Sequence, residues 1–69
     1  MSQMHISVNG ESRTVAAPAT LADLLQHLEL DPRTVVVELN REIVRRPALA
    51  ATVLSDGDSV ELVHFVGGG

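Results

Sequence analysis

The chain has 69 residues, nine acids against five bases, a formal charge of −4 and no cysteine. That length makes one small domain burying only about 60% of its unfolded surface, with no disulfide framework and no thiolate metal site. The acidic balance and the single aromatic, Phe65, argue against nucleic acid, which needs a basic footprint and stacking platforms.

In chain order, Met1-Ser2-Gln3-Met4 has neither the basic nor the apolar region of a secretion signal. No apolar run approaches the ~20 residues of a membrane span. A cytoplasmic protein without a membrane partner is the expectation. Met4, Ile6 and Val8 alternate with His5 and Ser7, the period of a half-buried strand. Asn9-Gly10 is a hairpin signal, since both residues tolerate positive φ. A second strand follows over about 12–16. A two-residue loop would set Ile6 against Arg13, so a four-residue loop that pairs Ile6 with Val15 is expected.

Ala17-Pro18-Ala19 breaks the strand. Thr20 with Asp23 has the spacing of a capping box. Leu21, Leu24, Leu25 and Leu28 form one apolar stripe on a helix expected over 21–29 and ended by Asp31-Pro32. His27 falls towards its polar side. Val35, Val36, Val37 and Leu39 suit a central, largely buried third strand over 34–40. Asn40-Arg41 turns the chain into a short strand, Glu42-Ile43-Val44, cut off by Pro47. Residues 48–54 have the character of a single 3₁₀ turn. Ser55-Asp56-Gly57-Asp58 is a tight turn; the further ligands of a calcium loop are absent, and no metal is expected. The last strand runs over 59–66. The order β-β-α-β-β-β predicts an α+β fold, a mixed sheet of four to five strands with one main helix on one face.

The sequence stops on Gly67-Gly68-Gly69. Such a tail is either a frayed end or linker, or a reactive carboxylate threaded into an enzyme. Phe65, beside it, reads first as a core residue and second as an exposed anchor for a partner. Arg41, Arg45 and Arg46 form a local basic cluster, either a solvated face or a docking patch. No nucleophile–base–orienter set is present, and the three histidines are dispersed.

Four stretches resemble the ThiS family, sulfur carrier proteins of thiamin biosynthesis with a ubiquitin-like β-grasp fold. They are Ile6-Ser7-Val8-Asn9-Gly10; Thr20-Leu21-Ala22-Asp23-Leu24-Leu25; Val35-Val36-Val37-Glu38-Leu39-Asn40 with Glu42-Ile43-Val44; and Asp56-Gly57-Asp58-Ser59-Val60-Glu61-Leu62-Val63-His64-Phe65-Val66-Gly67-Gly68-Gly69. One departure is Leu49, near where many relatives carry tryptophan. The resemblance implies a β-grasp domain over 1–66 with the first and last strands side by side, and a flexible glycine tail over 67–69. It implies a carrier rather than an enzyme, with no bound cofactor. A ubiquitin-activating-like adenylyltransferase would use ATP to adenylate Gly69, and sulfur from a donor protein would convert it to a thiocarboxylate. Thiazole synthase would then take the sulfur. Gly68 and Gly67 would be the stalk on which Gly69 enters these enzymes.

Besides a plain β-grasp interaction domain with an inert tail, two alternatives stay open. One is another β-grasp sulfur carrier, such as the molybdopterin-synthase small subunit, which tends to be longer with an aromatic- or proline-rich stretch missing here. The other is a ubiquitin-like protein modifier. All five bases are arginine, so chains linked through its own lysines are excluded, but attachment to other proteins is not.

Overall fold

Alternation turns one side of β1 (Ser2–Val8) into core: Met4, Ile6 and Val8 are buried while His5 and Gln3 are exposed. The computed structural model describes residues 2–65. Asn9 and Gly10, at φ 51° and 82°, form a two-residue turn into β2 (Glu11–Ala17). Positive φ at both central positions matches the twist of a tight hairpin. The register sets Ile6 against Arg13 and Met4 against Val15, so the longer loop expected from the sequence is incorrect. The reason is that β2 is an edge strand. Val15 and Ala17 pack against the core, whereas Glu11 and Arg13 are exposed at the hairpin tip and need no apolar cover.

The helix α1 (Leu21–His27) starts as expected. Thr20 Oγ1 accepts the Asp23 N–H, and the Asp23 carboxylate accepts the Thr20 N–H. Leu21, Leu24 and Leu25 are buried. The helix ends before Asp31-Pro32. Glu29 adopts φ 60°, its N–H donates to Gln26 O, and the Leu30 N–H donates to Leu25 O. These two bonds satisfy the last carbonyls in a Schellman turn, which a non-glycine residue adopts here. A 3₁₀ turn (Pro32–Thr34), capped by Asp31, leads into β3 (Val35–Leu39). Val35 and Val37 are buried but Val36 is exposed, so β3 is covered on one face only. Asn40 and Arg41, both at positive φ, turn into β4 (Glu42–Val44).

The expected 3₁₀ turn over 48–54 is instead one α-helical turn, α2 (Arg46–Leu49), placed earlier in the chain. Pro47 sits in its first turn, where an N–H would have no intrahelical partner anyway. Leu49 and Leu54 plug the core, Leu49 at 4% exposure. Leu21 N–H to Thr52 O and Leu54 N–H to Ala19 O tie this segment to the helix start. The turn at 55–58 is pinned to β1: Asp56 Oδ1 accepts the His5 N–H at 2.7 Å, and the Gly57 N–H donates to His5 O. Gly57 is at φ 89°, where a side chain would be strained.

β5 (Ser59–His64) completes a sheet of order β2-β1-β5-β3-β4. It pairs parallel with β1 and antiparallel with β3, and α1 covers one face. This is the expected β-grasp arrangement. The core is wholly aliphatic apart from Met4, with no buried polar residue among those described.

Leu25, 1% exposed, gives a direct check on this packing. Leu25→Ala should destabilise the domain by about 2–5 kcal/mol in urea denaturation, through lost transfer energy and the cavity left behind.

Candidate functional site

In sequence the glycine tail follows β5, so what holds β5 fixes the last described strand before it. The parallel ladder to β1 is short, Ser7 with Ser59 and Val8 with Val60. A side chain lengthens it. The Asn9 N–H donates to Val60 O at 2.9 Å, and Asn9 Oδ1 accepts the Leu62 N–H at 2.7 Å. The amide oxygen thus stands where the next backbone carbonyl would be. Asn40 acts at the strand's start. Its Oδ1 accepts the Ser59 N–H, its own N–H donates to Ser59 O, and its Nδ2 donates to Asp58 Oδ1. The two asparagines of the hairpin turns therefore grip the same strand. At the other end the Phe65 N–H donates to Thr34 O at 3.2 Å.

Along β5, Val60 and Leu62 point into the core, while Glu61 and Val63 are exposed on the open face. Phe65 follows in the same alternation and is 49% exposed. Phe65 is therefore exposed rather than part of the core. The sequence carried the signal: the phase of Val60 and Leu62 already puts Phe65 with Glu61.

The three arginines are not one cluster. Arg45 and Arg46 line an open groove of about 430 Å³ together with Val36, Ile43 and Pro47. Arg41 is in the turn at the other end of β4, roughly 13 Å away at ~3.3 Å per residue. His27 lines a second groove of about 260 Å³ between α1 and β2, with Thr14 and Asp23. The Asp23 carboxylate there is already engaged in the helix cap. Among the described residues no group of three or more metal-ligating side chains is assembled. None of their helices is long and apolar enough to cross a membrane. Sequence reasoning missed the exposed face made by Val36, Ile43 and Val63 beside Phe65. Gly67, Gly68 and Gly69, with Val66, lie outside the described residues.

One ion pair fixes the approach to β3. Asp31 accepts Arg33 Nη2 at 2.8 Å and the Arg33 N–H at 2.9 Å. The Arg33 side-chain bond and then its backbone bond hold the Asp31 carboxyl at about 2, below its ordinary 3.8. Because the folded value is lowered, the pair favours the fold above the ordinary carboxylate range, and that contribution is lost as pH falls through about 2.

Comparison with known proteins places these features. The ThiS family model matches residues 6–69. A thiazole synthase of Paramagnetospirillum magneticum is 44% identical over 66 residues, covering 96% of this chain and 20% of that protein. The chain thus spans about one fifth of the length of the first curated relatives it matches. The sulfur carrier protein ThiS of Bacillus subtilis is 44% identical over 50 residues, covering 72% of this chain and 76% of that one. The crystal structure of a thiamine biosynthesis protein (ThiS) from Geobacter metallireducens superposes with a TM-score of 0.83 at 42% identity, covering 96% of this chain and all of that one.

In a carboxyl-detected NMR titration, Asp31 should show a midpoint of about 2, and Arg33→Ala should return it towards 3.8.

Proposed function

This chain belongs to the ThiS family, and from that premise we propose that it is a sulfur carrier of thiamin biosynthesis whose working group is the Gly69 carboxylate. The observation that carries the reading is the family match, which runs through the β-grasp core to Gly69 itself. The clamped position of β5 supports it, since a fixed strand gives the tail a defined origin.

The chemistry follows from the group. A carboxylate is a poor electrophile. An adenylyltransferase of the ubiquitin-activating type joins the Gly69 carboxylate to the α-phosphate of ATP and releases pyrophosphate. The acyl-adenylate then has a good leaving group. Hydrosulfide released from a donor protein attacks the acyl carbon, AMP departs, a proton goes to solvent, and a thiocarboxylate remains. By analogy with thiolate over thiol, the thiocarboxylate is the anionic, soft nucleophile. It hands its sulfur to thiazole synthase, a partner supported by the thiazole synthases that contain a segment 44% identical to this chain. Three extended residues reach roughly 10 Å, so 67–69 enter an active site while the domain over 1–66 stays outside. In this scheme the chain is the substrate of its enzymes, not an enzyme, and works in the cytoplasm.

Incubation with ATP, the thiamin-pathway adenylyltransferase and a sulfide source should change the intact mass by one oxygen replaced with sulfur, confined to the C-terminal peptide. One residue added after Gly69 should abolish the change. No change in the unaltered chain, with the enzyme active on another carrier, would remove the reading.

A further inference from the structure

The groove lined by Arg45 and Arg46 lies where β4 leaves β3. Just beyond the two ends of β3, Thr34 O accepts the Phe65 N–H and the Asn40 N–H donates to Ser59 O. By alternation Val36 and Glu38 also turn their backbone groups to β5, while Val35, Val37 and Leu39 turn theirs to the β4 side. There Val37 pairs with Val44 and Leu39 with Glu42. In that register Val35 would meet Arg46, but Arg46 has already begun α2. The N–H and C=O of Val35 therefore face the groove with no strand beside them. The walls are apolar, with Val36, Val44, Pro47 and Leu49 lining the groove alongside Val35. Its charged side chains are the two arginines alone, on a chain of net charge −4. Both are exposed, and the ion pairs among the described residues, Arg33–Asp31 and His5–Asp56, include neither. Arg46 is near enough to act on Asp31, but that carboxylate is already held by Arg33.

We propose that this notch binds an extended, acidic polypeptide segment of a partner protein, which joins the sheet beside Val35 in line with β4 and sets carboxylates against Arg45 and Arg46. Three observations define the occupant. The Val35 N–H and C=O call for another backbone, the main-chain half of strand addition at a sheet edge. The residue opposite Val35 falls on the same side of the sheet as Val35, so an apolar side chain there lies against Leu49. The two arginines call for carboxylates, which a guanidinium binds through two parallel hydrogen bonds. A second copy of this chain fits poorly, because the same edge would bring its own arginines against these. The proposal stands apart from the sulfur-carrier reading, since nothing in it involves the chemistry of Gly69.

The probe is a short acetylated and amidated peptide that alternates valine with glutamate, titrated into the isotope-labelled full chain by NMR. The Val35 amide should shift, and its hydrogen exchange should slow about tenfold at saturation. Binding should be weak, with a Kd on the order of 100 μM. Arg45→Gln, at an exposed position, should weaken it about tenfold, as should glutamine in place of glutamate in the peptide. Arg13→Gln removes an equal charge at the hairpin tip and should leave binding unchanged. A peptide N-methylated at the residue that faces Val35 keeps its charge and should lose binding. Binding that survives the N-methylation, or that responds equally to Arg45→Gln and Arg13→Gln, would overturn the proposal, as would an unmoved Val35 amide. A stable dimer of this chain in sedimentation, dissociated by Arg45→Gln, would overturn it too by giving the edge to a second copy. None of these results bears on the mass change at Gly69, so the two readings fail separately.

Discussion

The 2.7 Å hydrogen bond from the Leu62 N–H to Asn9 Oδ1 is the contact on which the central strand depends. β1 and β5 are the first and last described strands and share a parallel ladder of only two residue pairs. Such long-range pairing must offset a large loop-closure entropy. Asn9 answers with one residue doing two things: its backbone makes the tight turn at φ 51°, and its side chain prolongs the ladder. Asn40 repeats the device from the other hairpin, at φ 50°. An aspartate in either turn would offer an oxygen; at position 40 it would lose the donor that reaches Asp58.

Fixing β5 in the middle sets both faces of the molecule. Inward, Val60 at 0% exposure joins the leucines of α1 and the aliphatics of β1 and β3. Outward, the same strand presents Glu61, Val63 and Phe65. In so small a domain one helix covers only one side, and the other side is left open. Inward-facing and outward-facing side chains thus alternate along a single strand.

Local signals were legible wherever the sequence itself supplied the physics. Thr20 with Asp23 and the leucine spacing gave the helix start and its buried face, and Asn40-Arg41 gave the second hairpin turn. What escaped depended on tertiary cover. The Asn9-Gly10 turn is visible in the sequence, but the pairing of Ile6 with Arg13 looks poor there, because the exposure of Arg13 on an edge strand is a tertiary fact. The helix end at Glu29 carried no glycine to mark it. Phe65 was read by its type, aromatic and therefore core, when its phase on β5 said otherwise. Pairing between β3 and β5, separated by a turn, a strand and α2, could not be registered from the sequence, so which of their residues stand opposite each other was invisible. The glycines that suggested the chemistry were plain in the sequence.

The account stands on β5 being held as firmly as the core it crosses. Amide hydrogen exchange, residue by residue along β5 in the free protein, tests this most directly. The account predicts that the Leu62 amide exchanges only through global unfolding, at the same opening free energy as Val60, because a side-chain acceptor completes its ladder. A Leu62 amide that exchanges through local opening, as fast as those of the edge strand β2, would contradict the claim that Asn9 secures the strand from which the tail departs.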